Sequence, residues 1–203
     1  MRNIEPITHG NYYHVYNCGI NGVSLFREKK NYEFFLQLYE KYICPIADTY
    51  AWCLMGNHFH ILIRIREENE IDLNRLYTSD RILYPVRGIK PPHIYFSHLF
   101  NSYAQAYNNM YARHGGLFER PFKRKLISSE KYFRRLVLYI HNNPVHHGFC
   151  EHPVEYLWSS YIGSISDKRI IVKQELLVER FNKLEDCKVL HKTKTGIIEN
   201  EEP

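Results

Sequence analysis

Thr49-Tyr50-Ala51-Trp52-Cys53-Leu54-Met55-Gly56-Asn57-His58-Phe59-His60-Ile61-Leu62-Ile63-Arg64-Ile65-Arg66 is the stretch on which the fold turns. β-Branched and aromatic residues crowd both halves and Gly56-Asn57 separates them, so residues 49–55 and 57–66 read as the two strands of a β-hairpin. The period of two in the second strand puts His58 and His60 on one face and Phe59 on the other. Two neighbouring imidazoles can hold one metal ion. The spacing alone decides little, because 12 histidines in 203 residues give roughly 0.7 chance occurrences of H-x-H.

Outward from the hairpin the periodicity alternates. Tyr12 to Cys18 reads as a strand stopped by Gly19-Ile20-Asn21-Gly22, and Glu28 to Ala47 carries Tyr32, Phe35, Tyr39 and Ile43 at helical spacing. On the other side come a short helix from Ile71 and a proline-rich loop from Pro85 to Pro92. A long apolar stripe follows, with Phe96, Leu99, Phe100, Tyr103 and Tyr107, ended by His114-Gly115-Gly116. Phe122 to Ile127 reads as a strand. Ser128 or Ser129 caps a helix through Tyr132, Leu136 and Tyr139 to Asn143, where Pro144 is expected to stop it. The order β, α, β, β, α, β, α predicts an α+β fold, a ferredoxin-like antiparallel sheet with helices packed on one face. Residues 1–163 form the expected domain. Residues 164–203 form a C-terminal helical extension, with apolar residues from Ile170 to Phe181 and a charged tail.

Composition narrows the class. With 44% hydrophobic residues the chain can build a core, which argues against disorder. No apolar run approaches the roughly 20 residues of a membrane span, so no membrane association is expected. Met1 to Pro6 lacks the apolar segment of a secretory signal, and five cysteines without C-x-x-C fit reduced thiols. A cytoplasmic location is expected. The net charge is only +5, yet between Tyr111 and Arg135 eight basic residues stand against two acidic ones, a local +6. Interleaved with Phe118, Phe122, Tyr132 and Phe133, these cations suit single-stranded nucleic acid or a solvated basic face equally well.

A second candidate lies at the end of the last core helix. Tyr139 and Asn143 are four apart and share a helix face. A nearby cation can stabilise a phenolate, and the Asn143 amide oxygen is a hard ligand that could complete a site begun by His58 and His60. Spacing does not select Tyr139 over Tyr132 or Tyr161.

Four ordered motifs do. Met55-Gly56-Asn57-His58-Phe59-His60-Ile61-Leu62-Ile63, Gly116-Leu117-Phe118-Glu119-Arg120-Pro121-Phe122-Lys123, Tyr139-Ile140-His141-Asn142-Asn143-Pro144-Val145 and Trp158-Ser159-Ser160-Tyr161 resemble the single-tyrosine HUH transposases. Among these they most resemble the REP-associated tyrosine transposases. The resemblance implies a divalent metal, magnesium or manganese, on His58, His60 and Asn143, and Tyr139 as the nucleophile that forms a 5′-phosphotyrosine. It also implies single-stranded or hairpin DNA as partner, with Arg120, Lys123, Arg124 and Lys125 on its backbone, and a monomer or homodimer. Gly56 stands where the family commonly has an acidic residue or proline, and Asn142 where an aliphatic one is usual. The rivals are a non-catalytic nucleic-acid binder on the same type of sheet and, more remotely, a zinc hydrolase, for which neither H-E-x-x-H nor a cysteine pair is present.

Overall fold

The computed structural model describes residues 5–76, 88–162, 171–172 and 174–181. Strands β1 (Tyr12–Cys18), β2 (Ala47–Leu54), β3 (His58–Ile65) and β4 (Lys123–Leu126) form one antiparallel sheet in the order β2-β3-β1-β4. Helix α1 (Lys29–Tyr42) links β1 to β2. A single turn α2 (Leu73–Leu76) and the long α3 (Pro92–Met110) lie between β3 and β4. Helix α4 (Glu130–His146) follows β4, and α5 (Gln174–Phe181) lies beyond it. The predicted hairpin is present, closed by the two-residue loop Gly56-Asn57 with Met55 and His58 bonded to each other in both directions.

The expected four-stranded α+β architecture is found, but the helices do not all share one face. Each crossover, β1-α1-β2 and β3-α3-β4, returns its helix to the same side. There Phe35 of α1 and Phe100 of α3 close on Phe59 of β3 at ring separations of 5.4 and 5.7 Å. Helix α4 is not part of a crossover and takes the opposite face. Its Phe133, Leu136, Val137 and Ile140 pack on Tyr50, Ala51, Cys53, Met55 and Leu62, joined by Leu177 and Phe181 of α5. The reason lies in β2, all eight residues of which are buried. A strand apolar on both sides needs cover on both sides. An irregularity between Thr49 and Ala51 turns both Tyr50 and Ala51 towards α4.

Helix α4 begins as expected, with the Ser129 hydroxyl accepting the Tyr132 N–H at 3.2 Å. It does not stop at Asn143. Pro144 sits inside the last turn, and the helix continues two residues past it to His146. Closure comes at Gly148, whose φ of +69° supplies the left-handed cap, with the Phe149 N–H on the Pro144 carbonyl. The proline-rich loop lies outside the described residues as far as position 87, and so does the tail from 182. Among the described residues no helix is long and apolar enough to cross a membrane.

The Trp158-Ser159-Ser160 segment covers the outer edge of β2. Leu54 N–H donates to Trp158 O, and Trp52 and Ser160 exchange backbone and side-chain bonds. The fully buried Ser160 hydroxyl accepts the Trp52 N–H and meets His141 Nε2 of α4, both at 2.8 Å, so one oxygen ties edge, strand and helix together. Ser160→Ala removes the buried acceptor of the Trp52 N–H and the hydroxyl bonded to His141 Nε2. Urea denaturation should show a loss of about 2–4 kcal/mol.

Candidate active site

β1 and β3 pair so that Tyr16 faces His60 and Cys18 faces His58, with His14 one step along opposite Leu62. Residues directly opposite in an antiparallel pair share a face. His14, Tyr16, His58 and His60 therefore project from the same side of the sheet, the side that α4 covers. The imidazoles of His14 and His60 stack at 5.1 Å, and Tyr16 stacks on His14 at 4.7 Å.

Helix α4 delivers the other two residues. Asn143 is buried, and its Oδ1 lies 3.3 Å from His58 Nε2. The Tyr139 ring, half-buried and one helical turn earlier, stands edge-on to His60 at 5.3 Å and to His14 at 6.5 Å. Thus His58, His60, Tyr139 and Asn143 meet within one chain. Neither Tyr132 nor Tyr161 shares this position: the Tyr132 ring lies under Lys125, and Tyr161 packs on His141.

Sequence reasoning missed two imidazoles here. His14 is fully buried, with Nε2 2.9 Å from His60 Nδ1 and its own Nδ1 unpartnered. The alternation Tyr12-x-His14-x-Tyr16 places it on one face but does not reveal which strand lies opposite. His147 comes within 5.1 Å of His58 because α4 runs on past Pro144.

The chemistry follows from burial. It depresses the pKa of His14 to about 3, Lys125 adding to the effect, and holds His60 well below its ordinary value, helped by His14, His58 and His147. His58 is lowered by burial and His147 against an opposing bond to Asn143. These imidazoles are neutral at pH 7, the form that binds metals. His58 Nδ1 lies 2.7 Å from Asn57 Oδ1 and Nε2 3.3 Å from Asn143 Oδ1, so the single proton of the neutral ring serves one amide oxygen at a time. With the proton on Nδ1, the Nε2 lone pair and the Asn143 oxygen converge as a donor set that a cation relieves. His60 can add its Nε2 when its Nδ1–H is given to His14. The nitrogen and oxygen donors therefore fit a small divalent ion. No group of three His, Cys, Asp or Glu side chains suited to a metal occurs among the described residues, so Asn143 would have to be the third ligand.

The predicted DNA contacts divide. β4 pairs Lys123 with Tyr16 and Lys125 with His14, so these two lysines share the imidazole face, their ammonium groups 5.8 Å from the Tyr16 ring and 5.1 Å from the Tyr132 ring. Arg124 pairs with Val15 and points to the opposite face, where Arg120 also lies beside a cavity.

Comparison with solved structures finds the same architecture elsewhere. This fold is similar to that of a REP-associated tyrosine transposase. That structure, solved bound to a REP hairpin, overlays with a TM-score of 0.58 at 14% identity, covering 84% of this chain and 90% of that one. A bacterial tRNA(His) guanylyltransferase-like protein in complex with GTP overlays at a TM-score of only 0.36 and 10% identity, covering 71% of each chain. No family model and no curated protein matches the sequence. At 14% identity what is shared with the transposase is the fold. The site geometry belongs to this chain's own residues.

The buried neutral histidines give a pH dependence with a definite sign. Below pH 6.5 the unfolded state binds a proton at His14 that the folded state refuses until about pH 3, so stability falls as pH drops through that window. With chelator present, His14 alone should cost about 2 kcal/mol between pH 7 and 5. Urea midpoints should show His14→Leu losing correspondingly less than the wild type over the same range.

Proposed function

We propose that the protein is a REP-associated type of tyrosine transposase, which cleaves and rejoins single-stranded, hairpin-bearing DNA through a covalent bond to Tyr139. The observation that carries this reading is the juxtaposition of the Tyr139 ring with His60, His58 and Asn143 on one chain. A phenol packed for core volume alone would have no reason to stand beside a converging set of neutral nitrogen and oxygen donors.

In the proposed step the Tyr139 phenolate, its proton lost to water, attacks a DNA phosphorus in line. The tyrosine O–P bond forms as the P–O3′ bond breaks. The departing 3′ oxygen of the upstream strand takes a proton from water, and the downstream strand stays on the tyrosine through its 5′-phosphate, as a phosphodiester. One phosphodiester replaces another, so a second 3′-hydroxyl can reverse the step onto a new strand without a nucleotide triphosphate. His58, His60 and Asn143 would hold the divalent ion, magnesium or manganese, which when bound neutralises charge developing on the phosphate oxygens. His14 fixes the orientation and tautomer of His60 by accepting its Nδ1–H. Lys123 and Lys125, on the same face, hold phosphates flanking the attacked one.

Labelled hairpin DNA with single-stranded flanks, incubated with manganese and denatured in detergent, should yield a protein–DNA adduct. Tyr139→Phe should abolish the adduct and keep DNA affinity within about twofold, and a chelator should do the same to the wild type. Adduct formation by Tyr139→Phe, or none by the wild type across varied hairpins, would leave a nucleic-acid binder without this chemistry. Separately, His14→Leu should weaken manganese binding by about 10- to 100-fold, read from the electron paramagnetic resonance signal of free manganese without DNA.

A further inference from the structure

Strand alternation splits the basic segment. Lys123 and Lys125 face Tyr139, while Arg124 emerges on the far side of the sheet, so DNA lying only on the Tyr139 face cannot reach it. On that far side, between α3 and the chain entering β4, a cavity of about 560 Å³ opens to solvent. Its walls carry Phe100, Phe118 and Phe122, with Asn101 on one side and Arg120 and Arg124 on the other. This volume falls in the range of small-molecule sites, and the mixture of rings, an amide and guanidinium groups suits a base with its attached phosphate.

The cationic wall is already organised. The Arg124 guanidinium lies 4.7 Å over the Phe122 ring, which stacks on Phe96 at 5.4 Å. Arg124 Nε donates to the Glu5 carbonyl at 2.7 Å and Nη1 reaches the Phe122 carbonyl at 3.5 Å, which fixes the plane of the guanidinium and leaves Nη2 for a further partner. Burial lowers the Arg124 pKa, and the Glu5 carboxylate partly opposes that shift. Arg120 is exposed and makes no ion pair among the described residues. One carboxylate, Glu119, also borders the cavity, with an oxygen 4.0 Å from Lys123 Nζ. His93 is the remaining titratable side chain there.

We infer that this cavity is a second DNA-contact site, on the sheet face opposite Tyr139, which takes one unpaired nucleotide with its base against the Phe100–Phe122 wall and its phosphate on Arg120 and Arg124. The inference rests on the DNA reading of the Tyr139 site. The strand would pass over the edge of the sheet at β4, whose alternating side chains put cations on both sides of that edge. A single-stranded tail, unlike a duplex, is thin and pliable enough to follow such a corner and offers a free base to stack.

The test uses Tyr139→Phe protein in chelator, so that its outcome does not depend on cleavage. Hairpins with single-stranded tails, carrying one iodouracil moved along the tail, are irradiated and the crosslinked peptides identified by mass spectrometry. A tail position crosslinking to Phe100 or Phe122 is expected. Asn101→Trp, which crowds the cavity, should lower the ratio of tailed-hairpin to blunt-hairpin affinity about tenfold. Arg120→Ala should reduce the slope of log affinity against log salt by about one for tailed DNA. Crosslinks confined to Tyr16, Tyr132 or Tyr139 overturn the proposal, and so does an unchanged affinity ratio in Asn101→Trp. Equal or stronger crosslinking of the cavity to an RNA hairpin of the same sequence overturns the assignment to DNA. A cavity crosslink from a protein whose wild type forms no adduct would separate this site from the reading of Tyr139.

Discussion

Strand β3 runs through the middle of the molecule with both faces buried, and its alternation sets what each face can be. Phe59, Ile61, Ile63 and Ile65 enter the core under α1 and α3. The intervening positions, His58, His60 and Leu62, face α4. A slip of one residue in the β1–β3 register would carry the imidazoles into the aromatic core and the phenyl ring into the site. Burial of one face thus specifies the polar chemistry of the other. Phe59, fully buried among Phe35, Phe100 and Phe118, holds that register for the histidines on either side of it.

Helix α4 has to satisfy two demands at once. Its apolar residues must seat on β2, where Ala51 leaves room, while Tyr139 and Asn143 must stop over β1 and β3. Phe133, Leu136, Val137 and Ile140 occupy one stripe, and Tyr139 and Asn143 lie along its margin, four residues apart. The bond from His141 to Ser160 pins the same turn from the opposite side. The residues after Trp158, far in sequence from the imidazoles, therefore help set how the phenol meets them.

Much of this could be read from the chain, and the parts that could not have physical reasons. The 49–66 hairpin, the α3 stripe and the Ser129 cap are local features, set by turn chemistry and periodicity, and they appear where the sequence places them. The face taken by α4 is a tertiary choice. The near-continuous apolar run Tyr50 to Met55 carried its signal, since a strand exposed on one side would alternate. His14 escaped notice because its significance depends on the pairing of β1 with β3 across 46 residues. Pro144 misled for a different reason: proline disfavours a helix without forbidding it, and here the chain keeps helical geometry for two residues more. That extra turn brings His147 to His58.

The pairing of His14 with His60 is costly in a metal-free protein, since it buries a ring nitrogen without a partner. An apolar residue at that position would pack against Tyr16 and the underside of α4 without the penalty. The cost makes sense if His60 must present one nitrogen in a fixed protonation state and orientation, because a neighbouring imidazole enforces both while staying neutral. A backbone carbonyl could accept the same proton, but the carbonyls flanking His60 on β3 are already committed to the ladders with β1 and β2. In the middle of a sheet buried on both sides, a side chain from the adjacent strand is the available means of orienting that imidazole. β1 supplies it through the same alternation that faces Lys125 towards the site and Arg124 away from it.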